Sequence, residues 1–143
     1  FRSRKLEPLT RSELEKLLDR SSQCNGISLL PYAAHIETLG GRIPLFTQMA
    51  CAFYCELLAD RQGVLTSGDH QLVFRQVAES AAPHFRRIWA ILSPEERALA
   101  RQAARGQAVD LDSQAAKGLQ DKGYLTEGHL FSSVFAEFVR NQI

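Results

Sequence analysis

Between Leu45 and Asp60 the chain places apolar side chains on nearly every face of a helix: Leu45, Phe46, Met49, Ala50, Phe53, Tyr54, Leu57 and Leu58. A helix of that pattern is stable only where other elements surround it. Gln48 and Glu56 interrupt the run, which falls short of the roughly 20 apolar residues that span a bilayer. The segment is therefore read as the centre of a first hydrophobic core, and no membrane partner is expected.

The flanking sequence supplies the elements to cover it. Thr10 with Glu13 forms a capping box, and Leu14, Leu17 and Leu18 follow at helical spacing, so a first helix is predicted over Arg11 to Arg20. A loop over Ser21 to Gly26 leads to a second helix that starts near Ser28. Pro31 is tolerated in its first turn, and Gly40 supplies a left-handed C-terminal cap. Gly41 to Pro44 is the connector. After a turn at Gly63 to Gly68, Leu72, Val73, Val77 and Ala81 stripe another helix, which Pro83 is expected to break or restart.

Beyond Pro83, Phe85, Ile88, Trp89 and Leu92 lie at i, i+3, i+4 and i+7. Trp89 is expected to be largely buried there as the anchor of the junction. Ser93-Pro94-Glu95-Glu96 marks a new helix start, with serine as cap, proline at the first helical position and Glu96 reaching back to the Ser93 amide. A short helix over Asp112 to Asp121 follows, then a hairpin around Glu127-Gly128. A last helix carries Val134, Phe135, Phe138 and Val139 on one face. The order helix, short helix, hairpin, helix is that of a winged helix. The fold class predicted is mainly α in two units, residues 1–83 and 84–143, the second a winged-helix domain with a small β-hairpin.

Seventeen basic residues against sixteen acidic ones give a net charge of +1, so no bulk field draws the chain to nucleic acid or an anionic membrane. Cys24, Cys51 and Cys55 are odd in number and form no Cys-x-x-Cys pair, and Cys51 and Cys55 lie one helical turn apart, where disulfide geometry is poor. A reducing cytoplasm fits these cysteines best. The chain opens Phe-Arg-Ser-Arg without an initiator methionine or a signal-peptide h-region, which predicts that it was cut from something longer.

No catalytic apparatus stands out, and the chain is not expected to be an enzyme. His35, His70, His84 and His129 lack the spacing of a metal site and read as surface or core-edge histidines, so no metal is expected. No Gly-x-Ser-x-Gly elbow occurs. No Walker loop occurs, and Gly40-Gly41 follow a helix where a phosphate loop follows a strand. Glu95 and Glu96 are explained by capping and the helix macrodipole. A winged helix raises the question of DNA. The helix that would enter the groove offers Lys117 and Lys122 as candidate contacts, offset by Asp112 and Asp121, which disfavours DNA as a partner.

Three segments together, LGGRIPLFTQMACAFYCELL, FRRIWAILSPEERALA and LQDKGYLTEGHLFSSVFAEFV, resemble the C-terminal part of bacterial AAA-like ATPases of the STAND type. The resemblance spans nearly the whole chain from LEPLTRSELEKLL onward. It implies a helical lid followed by a winged helix, together acting as a non-catalytic regulatory region in signal transduction. Its cofactor would be ATP or ADP, held only with an upstream NTPase domain, and its partners would be that domain or other protein domains, with oligomerisation open. Gly40, Gly41 and Pro44 would make the adenine-side contact. The family spacing more often reads Gly-Gly-x-Pro, and this chain has one residue more, Gly40-Gly41-Arg42-Ile43-Pro44. Pro44 is equally well explained as the first-turn proline of a buried helix. The alternative is a winged-helix transcriptional regulator that binds DNA.

Overall fold

The structure, a computed structural model, describes residues 9–21 and 29–142. Helices dominate: α1 (Arg11–Ser21), α2 (Ala33–Gly40), α3 (Pro44–Asp60), α4 (Ser67–Ile91), α5 (Pro94–Ala104), α6 (Gln114–Asp121) and α7 (Ser133–Arg140). The strands β1 (Leu125–Thr126) and β2 (His129–Leu130) pair antiparallel, Leu125 opposite Leu130 and Thr126 opposite His129. The fold is mainly α with one small hairpin, and the order α5, α6, hairpin, α7 is the one read from the sequence. The loop expected up to Gly26 and the helix start expected near Ser28 lie outside the described residues. Pro31 sits in a 3-10 turn, Leu30–Tyr32, that leads into α2. No described helix is long and apolar enough to cross a membrane.

Local chemistry sets most of the helix starts. At α1 the Thr10 amide donates to Glu13 Oε1 (2.9 Å) and the Glu13 amide to Thr10 Oγ1 (3.1 Å). The same reciprocal pairing joins Ser93 and Glu96 at α5. It also joins Thr66 and Asp69 at α4, a Thr-x-x-Asp signal present in the sequence and passed over in reading that stretch only as a turn. Pro44 opens α3, Ser113 caps α6 and Ser132 caps α7. In the hairpin, Glu127 (φ 52°) and Gly128 (φ 84°) both take positive φ, as a two-residue turn of this hand requires.

Several expectations are corrected. α4 passes through Pro83 without a break and runs for 25 residues. A helix-interior proline costs about 3 kcal/mol through its missing N–H and its ring clash. Here that cost is offset by burial on both sides, Val73, Val77 and Ala81 before it and Phe85 and Ile88 after it. Those residues belong to one hydrophobic core that extends from Leu14 in α1 to Val139 in α7. α3 is not enclosed on every side: Phe46, Ala50, Tyr54, Leu57 and Leu58 are buried, while Leu45 is 42% exposed.

Trp89 packs against the core but is not fully enclosed. Phe85 and Ile88 occupy the core-facing positions of that turn, and the indole lies to one side beneath the guanidinium groups of Arg97 and Arg101. The positive φ expected at Gly40 falls on Gly41 (φ 62°, ψ −132°). Cys51 is buried, and Cys55 is disulfide-bonded where the cysteine count led to an expectation of reduced thiols.

Candidate functional site

The sequence scatters its histidines, and the fold brings two of them together. His35 of α2 stacks on His70 of α4, with ring centroids 4.1 Å apart and planes 13° from parallel. They border a groove of about 540 Å³ between α2, α4 and α7, whose walls include Thr38, Phe74, Arg75 and Glu137. Tyr54, buried on α3, closes its base, and its hydroxyl lies 2.7 Å from His70 Nδ1. Burial pushes the Tyr54 phenol up to about 12, with Tyr32 adding to the effect, so the hydroxyl keeps its proton. Burial, and after it the His35 ring, lower the His70 pKa, which leaves the imidazole neutral at pH 7. The Tyr54 hydroxyl then donates to Nδ1, which places the His70 proton on Nε2. The contact joins residues 16 and 35 positions apart, and no local pattern announces it.

This arrangement offers stacked imidazole rings, an Arg75 with no ion pair among the described residues, and the carboxylates of Glu79 and Glu137. Those are recognition groups. The Ser133 hydroxyl is engaged with the Thr38 carbonyl at 3.2 Å. No cluster of three or more metal-ligating side chains occurs among the described residues.

The corner where α2 turns into α3 holds the three residues singled out for nucleotide contact, and none of the three lines the groove. Gly40 and Gly41 are both buried, and Pro44 is half-buried at the first turn of α3. A Cβ on Gly40 would lie 2.7 Å from the Thr47 amide nitrogen and 2.8 Å from the Phe46 carbonyl carbon. On Gly41 it would lie 2.5 Å from the Phe131 carbonyl oxygen. Ser132 fixes the other side: its hydroxyl donates to the Leu39 carbonyl and accepts from the Val134 and Phe135 amides at 3.1 and 3.2 Å. The last turn of α2 and the first turn of α7 therefore share one serine. Thr47 Oγ1, in the same corner, is buried without a hydrogen-bond partner among the described residues.

Lys117 and Lys122 differ in their surroundings. Lys117 is exposed on α6. Lys122 reaches back to Glu96, its Nζ 3.2 and 3.1 Å from the two carboxylate oxygens. Gly118 permits this contact, since a Cβ there would lie 2.5 Å from Glu96 Oε2. Burial pushes the Glu96 carboxyl up, but the bonds from the Ser93 amide and Lys122 outweigh it and the net pKa is lowered. A carboxyl whose folded pKa is depressed contributes stability that is present above its unfolded pKa, about 4.3, and is lost as pH falls through the lower folded value. Urea midpoints measured through that acid range should fall less steeply in Glu96→Gln than in the unsubstituted chain. Identical profiles would show that Glu96 is not held in its charged form.

The chain matches no family model, no curated protein and no solved structure.

Proposed function

We propose that this chain is a non-catalytic regulatory region of a STAND-type signalling ATPase, a lid and winged helix that pass nucleotide state on to protein contacts. The observation that supports it most is the corner at Gly40 and Gly41. Its backbone packs directly against Phe131, and its preceding carbonyl is held by Ser132 at the start of α7. A displacement of the Gly40–Pro44 segment by a ligand contact would reach the hairpin and α7 without an intermediate element. Such coupling needs two arrangements of a packed joint, each favoured by a different ligand state. Burial of Gly40 and Gly41 argues that they act through the joint, and it leaves Pro44 as the residue of the three best placed to meet a nucleotide held by another domain.

ATP or ADP would bind only together with that NTPase domain, because a proline and two glycines supply neither a phosphate cradle nor a magnesium ligand. Calorimetric titration of the chain with ATP and magnesium should give no binding heat. A dissociation constant in the low micromolar range would contradict the reading. The DNA-binding alternative loses support at Lys122, whose ammonium is committed to Glu96. Anisotropy of a labelled duplex should accordingly show weak binding, with a shallow salt slope that Lys117→Ala, Lys122→Ala scarcely changes. Steeply salt-dependent, lysine-dependent binding would favour the regulator. The reading places the chain in the cytoplasm; the disulfide at Cys55 weighs against a reducing compartment, and thiol titration of protein isolated without reductant decides the point.

A further inference from the structure

We infer that the face formed by the C-terminal turns of α4 and by α5 is a docking surface for an acidic, amphipathic segment of a partner protein. Its cations are all arginines. Arg97 and Arg101 of α5 and its C-cap Arg105 recur at i, i+4 and i+8, and Arg86 lies one turn before Trp89 on α4. None of the four makes an ion pair among the described residues, whereas Arg11, Arg42, Arg61 and Lys122 all do. Glu95 and Glu96 are the only acids between residues 86 and 105, and Glu96 is engaged by Lys122. A net charge of +1 for the chain thus conceals a local basic face.

The face is ordered before any partner arrives. Arg97 donates from Nε to the Trp89 carbonyl at 3.0 Å and from Nη2 to the Ala90 carbonyl at 3.3 Å, capping the end of α4. Arg97 and Arg101 both lie over the indole, 5.5 and 5.2 Å from its centroid. Like charges at i, i+4 ordinarily repel, at a cost of about 0.2–0.5 kcal/mol, and the described residues place no carboxylate there to offset it. Trp89 beneath them stays partly exposed. A partly exposed tryptophan flanked by arginines has the composition of a protein–protein hot spot. The guanidinium fork matches carboxylates bidentately. The indole already carries two guanidinium groups and is not open to base stacking, and the arginine fork suits carboxylates, so an acidic protein segment is the better fit. The inference does not depend on the ATPase reading.

Trp89 is the only tryptophan in the chain, so intrinsic fluorescence reports on this face alone. The probe is a synthetic helical peptide with glutamates on one face and leucines beside them. The controls are the same peptide with lysines for glutamates, and a random-sequence duplex. The glutamate peptide should shift Trp89 emission saturably to shorter wavelength, and raising salt from about 50 to about 200 mM should weaken binding severalfold. Arg101→Glu, Arg105→Glu should weaken it about tenfold, with a thermal melt lowered by no more than the loss of one cation–π contact. Arg86→Glu on the other helix should act in the same direction and serves if the double variant folds poorly. No saturable shift, binding indifferent to charge reversal, or tighter binding of the duplex than of the peptide would each overturn the inference.

Discussion

Phe85→Ala should destabilise the chain by about 3–5 kcal/mol, the range for deleting a fully buried aromatic ring, whereas Trp89→Ala, four residues on, should cost only roughly 1–2 kcal/mol. Phe85 is 1% exposed. From the middle of α4 it packs against Phe46 of α3 at 5.1 Å, Phe135 and Phe138 of α7 at 5.1 and 5.6 Å, and Phe131 after β2 at 6.5 Å. Removing it leaves a cavity where α3, α4 and α7 meet, and it removes burial that offsets the strain of Pro83. Trp89 keeps one edge in solvent, and its truncation loses mainly the two cation–π contacts. Urea unfolding of both variants distinguishes the two cases. Equal losses would mean that Trp89 carries a core role that its exposure does not support.

Gly41→Ala should cost about 3 kcal/mol or more, because backbone strain and steric overlap act at the same atom. Only glycine occupies φ 62°, ψ −132° readily. The new methyl would also meet the Phe131 carbonyl at 2.5 Å and its ring at 2.9 Å. Gly106 provides the control: its φ is 74° but nothing lies near its Cβ position, so alanine there pays conformational strain alone, about 1–2 kcal/mol. If thermal melts of the two variants shift equally, the packing of Gly41 against the end of the hairpin is not tight, and the joint between α2 and α7 loses its basis.

Much of the fold was legible because its signals are local. Ser93 with Glu96, Thr10 with Glu13, and the Glu127-Gly128 turn each act within three residues, and the structure forms all of them. The Thr66 and Asp69 pair was equally legible and was obscured by the glycines around it. Pro83 misled because the local cost of proline is outweighed by contacts distant in sequence, which periodicity does not weigh. Trp89 shares the stripe of Phe85 and Ile88 without sharing their full burial. A stripe at i, i+3, i+4 and i+7 marks a face about half a helix wide, and a neighbour decides which edge of it stays wet; here α5 covers the indole with arginines instead of apolar side chains. The groove at His35 and His70 was not legible, since it depends on how α2 and α4 lie against each other. Gly40 and Gly41 were singled out as a pair, but their burial against Thr47 and Phe131 required the fold.

If the Gly40–Gly41 corner and the start of α7 form one joint, amide hydrogen exchange in Ser132→Ala will register it. The substitution removes the hydroxyl that bonds the Leu39 carbonyl and caps α7. Loss of protection at Val134 and Phe135 follows from the cap alone. The informative amides are Ile43 and Thr47, which donate to the Gly40 and Ile43 carbonyls inside the corner and have no contact with the serine side chain. The Arg97 amide, bonded to the Ser93 carbonyl at the start of α5, serves as the reference for global opening. A coupling of about 1 kcal/mol, the typical worth of one hydrogen bond, should lower protection at Ile43 and Thr47 by about fivefold while Arg97 is unchanged. Unaltered exchange at Ile43 and Thr47, with loss confined to Val134 and Phe135, would contradict the account.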